Sequence, residues 1–194
     1  MQAQEVLDFW FGAPGSATFG QKRREWFVKD ASFDADIRTR FGEVIEQALS
    51  GGLKDWDAQG PQGVLARILV LDQFTRNACR NTPQSFAGDT LALAAATGLV
   101  DSGLDRALSP QQRVFAYLPF EHAEDAAMQA RAVELFTQLA AEHPGPGFED
   151  NLDYAHRHRG VIARFGRFPH RNEILGRVST PEEIDFLRQP GSRF

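Results

Sequence analysis

The chain has 194 residues, 42% of them hydrophobic and 16 of them phenylalanine, enough to bury one substantial core and short for two, so it reads as a single domain over 1–194. A formal charge of −5 argues against a general nucleic-acid binder, which needs lysine and arginine to displace counterions from phosphates. One cysteine, Cys79, permits no intrachain disulfide, Glu5 and Asp8 interrupt the N-terminal apolar run, and no apolar stretch nears the roughly 20 residues that span a bilayer; a soluble cytoplasmic protein is expected.

Helical periodicity dominates and strand-like alternation is almost absent, so the fold class is all-α. In chain order, helices are predicted over 3–11, 20–29, 34–49, 61–77, 86–100, 109–117, 119–142, 148–165, 171–176 and 180–188. About ten helices joined by short loops suit antiparallel hairpins stacked as a tetratricopeptide-like array, although no repeat of about 34 residues is present. Leu65, Ile68, Leu69 and Asp72 share one face of the fourth, and Met128, Ala132, Leu135 and Leu139 form a stripe on the seventh. Ser109-Pro110 and Leu118-Pro119 read as helix starts. The sharpest boundary signal is Thr180-Pro-Glu-Glu183, with a capping threonine, proline at the first helical position and glutamate closing a capping box. His143-Pro-Gly-Pro-Gly147 reads as a loop within the domain.

Three polar clusters fall on apolar faces. In Leu71-Asp-Gln-Phe-Thr-Arg-Asn77, the spacing places Asp72 on a buried face with Arg76 one turn later and Asn77 beside it; the pair is either satisfied internally or the polar floor of a cleft. In Pro119-Phe-Glu-His-Ala-Glu-Asp125, counting back from Met128 puts Glu121, Glu124 and Asp125 on the core-facing stripe, with His122 beside it. Acids in a first helical turn complement the dipole and cap amides, while two glutamates, an aspartate and an imidazole are also the types used for proton transfer. The third cluster reverses the charge of the chain. Between Tyr154 and Arg177 lie six arginines and three histidines against one acid, Glu173. Helical counting aligns His158 with Val161 and Phe165, and Arg159 with Ala155 and Ile162. The loop after them, with Arg164, Arg167, His170 and Arg171 among Phe165, Phe168 and Pro169, has the composition of an anion-holding surface. These arginines either bind a ligand or neutralise the carboxylates of the other two clusters.

Other chemistries find no support. No histidine pair has the helical spacing of zinc ligands, Cys79 has no cysteine partner, and neither a phosphate loop nor a dinucleotide fingerprint occurs, so no metal or cofactor is expected.

Four segments, Val6-Leu-Asp-Phe-Trp-Phe-Gly12, Leu71-Asp-Gln-Phe-Thr-Arg-Asn77, Pro119-Phe-Glu-His-Ala-Glu124 and Arg164-Phe-Gly-Arg-Phe-Pro-His-Arg-Asn172, occur in that order. Together they resemble the bacterial domain of unknown function 924 family, over about residues 4–188. Thr75 stands where the resemblance leads one to expect proline, and Ala123 where it leads one to expect serine, which weakens a role for a hydroxyl at 123. The resemblance implies an all-α, tetratricopeptide-like fold and no established activity.

The leading expectation is a concave pocket for a small anionic ligand. Arg76, Arg164, Arg167 and Arg171 would hold the anion with Asp72, Asn77 and His158 around it, and Glu121, His122, Glu124 and His170 are the candidate acid–base groups for a hydrolysis or isomerisation. The competing expectations are a helical module gripping an acidic peptide, and a purely structural charge network. Nucleic acid and membrane are not expected partners, and the sequence leaves the oligomeric state open.

Overall fold

In the computed structural model, which describes residues 1–192, the described residues are helical and contain no strand. The α-helices are α1 (Ala3–Phe11), α2 (Ala31–Leu49), α3 (Pro61–Ile68), α4 (Thr75–Ala78), α5 (Asp89–Asp101), α6 (Pro110–His122), α7 (Ala126–Glu142), α8 (Pro146–Phe165) and α9 (Pro181–Leu187). They fall into two compact units. The first holds Met1–Arg80 and Gln84–Pro119; the second holds Asn81–Pro83 and the chain from Phe120 onward.

The first unit is built on aromatics. Ala3, Val6, Leu7, Trp10 and Phe11 recur at the three- and four-residue spacing of one helical face, and all are buried on α1. Trp10 lies against Trp26, Phe33, Phe74 and Phe115, with ring centroids 5.4–6.1 Å apart. Such offset and edge-on contacts add to the burial of large apolar surfaces. Helix α2 starts at Ala31, three residues earlier than expected, because the Asp30 carboxylate accepts the amides of Ser32 and Phe33, both at 2.9 Å. No helix forms over 20–29; only a short 3-10 turn, Arg24–Trp26, is present. The segment is instead tied to α1: the Trp26 indole donates to the Trp10 carbonyl at 3.1 Å, Arg23 donates to that of Phe9 at 2.7 Å, and Phe27 and Val28 stay exposed.

Helix α3 passes directly into a π-helical turn, Leu69–Phe74, and then α4. Leu65, Ile68, Leu69 and Asp72 are all buried, as their spacing predicted. The Thr75 hydroxyl donates to the carbonyls of Leu71 (2.8 Å) and Asp72 (3.2 Å), satisfying acceptors where the wide turn closes. A buried polar triad completes the unit: Tyr117 donates to Asp105 at 2.6 Å and accepts from Arg113 at 2.9 Å. Burial, reinforced by the bond to Asp105, pushes the Tyr117 hydroxyl up to about 12.

In the second unit α7 and α8 form a hairpin through the His143–Gly147 loop. Ala132, Leu135 and Leu139 of the α7 stripe are buried, and Met128 is half-buried. Gly166 closes α8 in the left-handed region, φ +69°, its amide bonded to the Ile162 carbonyl at 2.8 Å. Helix α9 carries the expected capping box: Thr180 accepts from the Glu183 amide and Glu183 from the Thr180 amide.

One glycine in the first unit is set by close approach. A Cβ on Gly88 would lie 2.1 Å from the Leu71 carbonyl oxygen of the π-helical turn. Gly88→Ala is therefore expected to destabilise the protein by about 1–3 kcal/mol through overpacking, read as a lower midpoint in urea with an unchanged slope.

Candidate functional site

The first polar cluster lies in the first unit. Asp72 is fully buried in the π-helical turn; Arg76 reaches its carboxylate at 2.9 Å and donates to its carbonyl at 2.9 Å, while the Gln73 amide donates to the carboxylate at 2.6 Å. Arg76 also grips Asp89 at the start of α5 with two bonds of 2.8 and 3.1 Å. Burial works against this guanidinium's charge, but the two carboxylates outweigh it and keep it protonated. Asn77 donates to the Gln73 carbonyl at 3.0 Å and accepts from Arg80 at 2.8 Å, and Arg80 in turn clasps Asp34 with two bonds of 2.8 Å. Asp72, Arg76 and Asn77 thus belong to a set of ion pairs and hydrogen bonds that bolts α2, α4 and α5 together. Asp89, thirteen residues beyond Arg76, is the partner the helical counting missed.

The second cluster differs from its expected arrangement. Pro119 does not start a helix; it lies inside α6, which runs on to His122. The chain then breaks at 123–125, and α7 starts at Ala126 with Asp125 as its cap, accepting from Ala127 (2.8 Å) and Met128 (2.9 Å). Glu121, Glu124 and Asp125 therefore do not share a face of one helix. A helix carried through 123–125 would waste this cap, and fully buried Gln129 fixes the alternative, its amide donating to the carbonyls of Glu121 (2.6 Å) and Ala123 (2.8 Å). Glu121 and His122 consequently sit in the last turn of α6, and Glu124 sits in the break.

This break and the basic segment meet in the second unit. Glu121, 4% exposed, places a carboxylate oxygen 3.2 Å from Nδ1 of His158 on α8, which is 5% exposed. The same Nδ1 lies 2.9 Å from the Tyr154 carbonyl, an atom that only accepts, so Nδ1 carries the proton. The His122 and His158 rings are 6.4 Å apart, and buried Phe168 meets His158 edge-on at 5.5 Å and His170 at 5.6 Å. Arg171 lays its guanidinium 4.6 Å from the Phe168 ring centre and donates to the His122 carbonyl at 3.0 Å. Burial holds His158 down at about 3, opposed by the Tyr154 carbonyl and reinforced by the positive field of His122, His170 and Arg171. A neutral imidazole that resists protonation this strongly is a poor base near neutral pH. His158 is suited to orienting its neighbours, and proton transfer would fall to His122, His170 and Glu121. Arg159, by contrast, is exposed and does not lean on the apolar face as its spacing suggested.

The remaining charges hold the 164–183 segment in place. Glu124 receives two bonds from Arg177, 2.6 and 2.9 Å, and the Phe168 amide at 2.7 Å. Its carboxyl is held below the ordinary value because Arg177 and that amide outweigh the effect of burial. Arg177 also donates to the Phe168 carbonyl (3.1 Å) and to Asn172 (2.9 Å). Arg167 forms paired bonds of 2.7 and 2.8 Å to buried Glu183, and exposed Arg164 meets Glu182 at 2.9 Å. Arg177, Glu182, Glu183 and Gln129 were not among the expected site residues; Arg177 and the α9 acids were visible only as charges, because pairing across 16 to 53 residues leaves no periodic trace. Among the described residues no three His, Cys, Asp or Glu side chains gather in a way that would hold a metal ion, and no helix is long and apolar enough to cross a membrane.

The Glu183 carboxyl is pulled down to about 2, chiefly by the Arg167 bonds. Because the folded value lies below the roughly 4.3 of an unfolded glutamate, the pair's stabilisation is complete above about pH 4.5 and lost as pH falls toward 2. In melting curves across that range, wild type should exceed Glu183→Gln at pH 6 and converge on it near pH 2.

The chain matches, over residues 6–191, the family model described as a bacterial protein of unknown function, DUF924. No curated protein matches it. A solved structure of a protein of unknown function from Agrobacterium tumefaciens is similar, with a TM-score of 0.81 and 42% identity over 95% of this chain and 96% of that one. Two of the four segments that suggested the resemblance, Pro119–Glu124 and Arg164–Asn172, supply the break and the basic loop that meet around His158, and the chain belongs to the DUF924 family of bacterial proteins of unknown function.

Proposed function

We propose that this is a cytoplasmic protein that binds a small ligand bearing phosphate or carboxylate through His122, His170 and Arg171, with Glu121 available for acid–base chemistry of the hydrolase or isomerase type. The observation that carries this reading is the gathering of His158, His170 and the Arg171 guanidinium around Phe168, with His122 and Glu121 beside His158. Such a set of donors near one acceptor suits an anion and a proton moved on or off it. His158, neutral and fixed by Tyr154, serves as the scaffold of the group.

The ion pairs of Arg76, Arg164 and Arg167 support a second reading for those residues, in which they neutralise carboxylates of the protein itself. On this view the anion site is narrower than the four arginines named from the sequence.

The two readings separate in a thermal-shift titration with inorganic phosphate, glycerol 3-phosphate and dicarboxylates. A ligand at 100 times its Kd should raise the Tm by roughly 5–10 °C. His170→Asn should abolish that rise while barely moving the Tm of the free protein, whereas Arg167→Ala should lower the free-protein Tm and keep the rise. An undiminished rise in His170→Asn, or no rise with any of these anions, would sink the proposed site.

A further inference from the structure

A second place on the molecule has the features of a binding site, lies wholly in the first unit, and is independent of the histidine cluster. An open depression of about 400 Å³ is lined by Glu5, Asp8, Phe9, Arg23 and Arg40, a volume within the range that small ligands use. From its chemistry we propose that it binds a small zwitterion of the free α-amino acid class.

The depression rests on a stack of alternating chemistry. The Arg23 guanidinium lies 5.1 Å from the centre of the Phe33 ring, Phe33 stacks on Phe9 at 5.2 Å with 9° between planes, and the Arg40 guanidinium lies 4.7 Å from Phe9. Arg23 donates through one terminal nitrogen to the carbonyls of Phe9 (2.7 Å) and Trp10 (3.4 Å) and turns the other toward Glu25 at 3.8 Å, which makes it part of the scaffold. Arg40 differs: it is exposed, its contacts are with the faces of Phe9 and Phe41, and it has neither a hydrogen bond nor an ion pair among the described residues. Stacking orders the guanidinium while leaving its N–H edge open to the paired bonds a carboxylate accepts. On the α1 side, Glu5 uses one carboxylate oxygen on the Gln2 amide (2.6 Å) and Asp8 uses one on the Gln4 side chain (2.7 Å), leaving each a second oxygen for an ammonium group.

The charges select the ligand. Two acids and two arginines balance, so a plain anion meets Glu5 and Asp8, a plain cation meets Arg23 and Arg40, and a molecule carrying both charges a short distance apart satisfies both walls. Phe9 between them offers an apolar surface for the side chain.

The test is a titration of the ¹⁵N-labelled full chain with each of the common free L-amino acids, with N-acetyl and C-amide derivatives of any that bind. The expected result is a saturable shift of the Phe9 amide and Arg40 Nε–H signals for at least one free amino acid, weakened about tenfold or more by either blocking group. Arg40→Gln and Asp8→Asn, at exposed and half-buried positions, should produce the same loss with an unchanged circular-dichroism melt. Absence of a saturable shift up to about 10 mM for every amino acid, or equal binding of the blocked derivatives, would overturn the proposal. The blocked-ligand arm needs no variant, so it stands even if a substitution disturbs the fold.

Discussion

Where α6 stops decides what the second unit can do. If the helix continued through 123–125, Glu124 and Asp125 would extend its surface. Instead Asp125 caps the next helix, Gln129 closes the last carbonyls of the old one, and Glu124 is released into a gap where it accepts the Phe168 amide and Arg177. That one carboxylate therefore fixes the loop carrying Phe168, His170 and Arg171, while the end of α6 presents Glu121 and His122 to it. The fully buried Phe168 ring serves as the hub, with an imidazole at its edge, another beside it and a guanidinium over it.

An acidic chain that concentrates its arginines in one segment must place their partners elsewhere in sequence. Glu124 answers Arg177, Glu183 answers Arg167 and Glu182 answers Arg164. In the first unit Asp72, Asp89 and Asp34 perform the same service for Arg76 and Arg80. Burying unpaired charge is far more costly than burying a satisfied pair, so removing one partner of a buried pair such as Arg76–Asp72 costs more than the intact pair contributes. His158 differs because burial keeps its imidazole neutral. This is how His158 tolerates a position between Tyr154, Glu121 and Phe168 close to three other basic groups.

Local rules were legible in the sequence where one helix face or one cap decides the outcome. The α1 stripe of Val6, Leu7, Trp10 and Phe11 gave its helix to the residue, Asp72 fell on the buried face as counted, and Thr180 with Glu183 announced α9. Reading failed where a competing interaction outweighed the local signal. Pro119 carried the marks of a helix start, yet Asp125 was the better cap, and α6 absorbed the proline instead. The segment 20–29 was expected to be a helix, but Arg23 and Trp26 bond to carbonyls of α1 and hold it in an irregular path with a single 3-10 turn. Of the site, the residue types and their motifs were visible, and the resemblance tied them together; that Glu121 would meet His158 and that Arg177 would hold Glu124 depends on tertiary contacts for which spacing carries no code.

The meeting of α6 and α8 at a buried, neutral His158 is the central claim, and a long-range ¹H–¹⁵N NMR titration of the histidine side chains from about pH 3.5 to 9 tests it most directly. The structure predicts one imidazole that keeps its proton on Nδ1 and stays neutral down to about pH 4, with a signal that His158→Asn removes. A His158 that titrates near 6.5, as a solvent-exposed imidazole does, would contradict it.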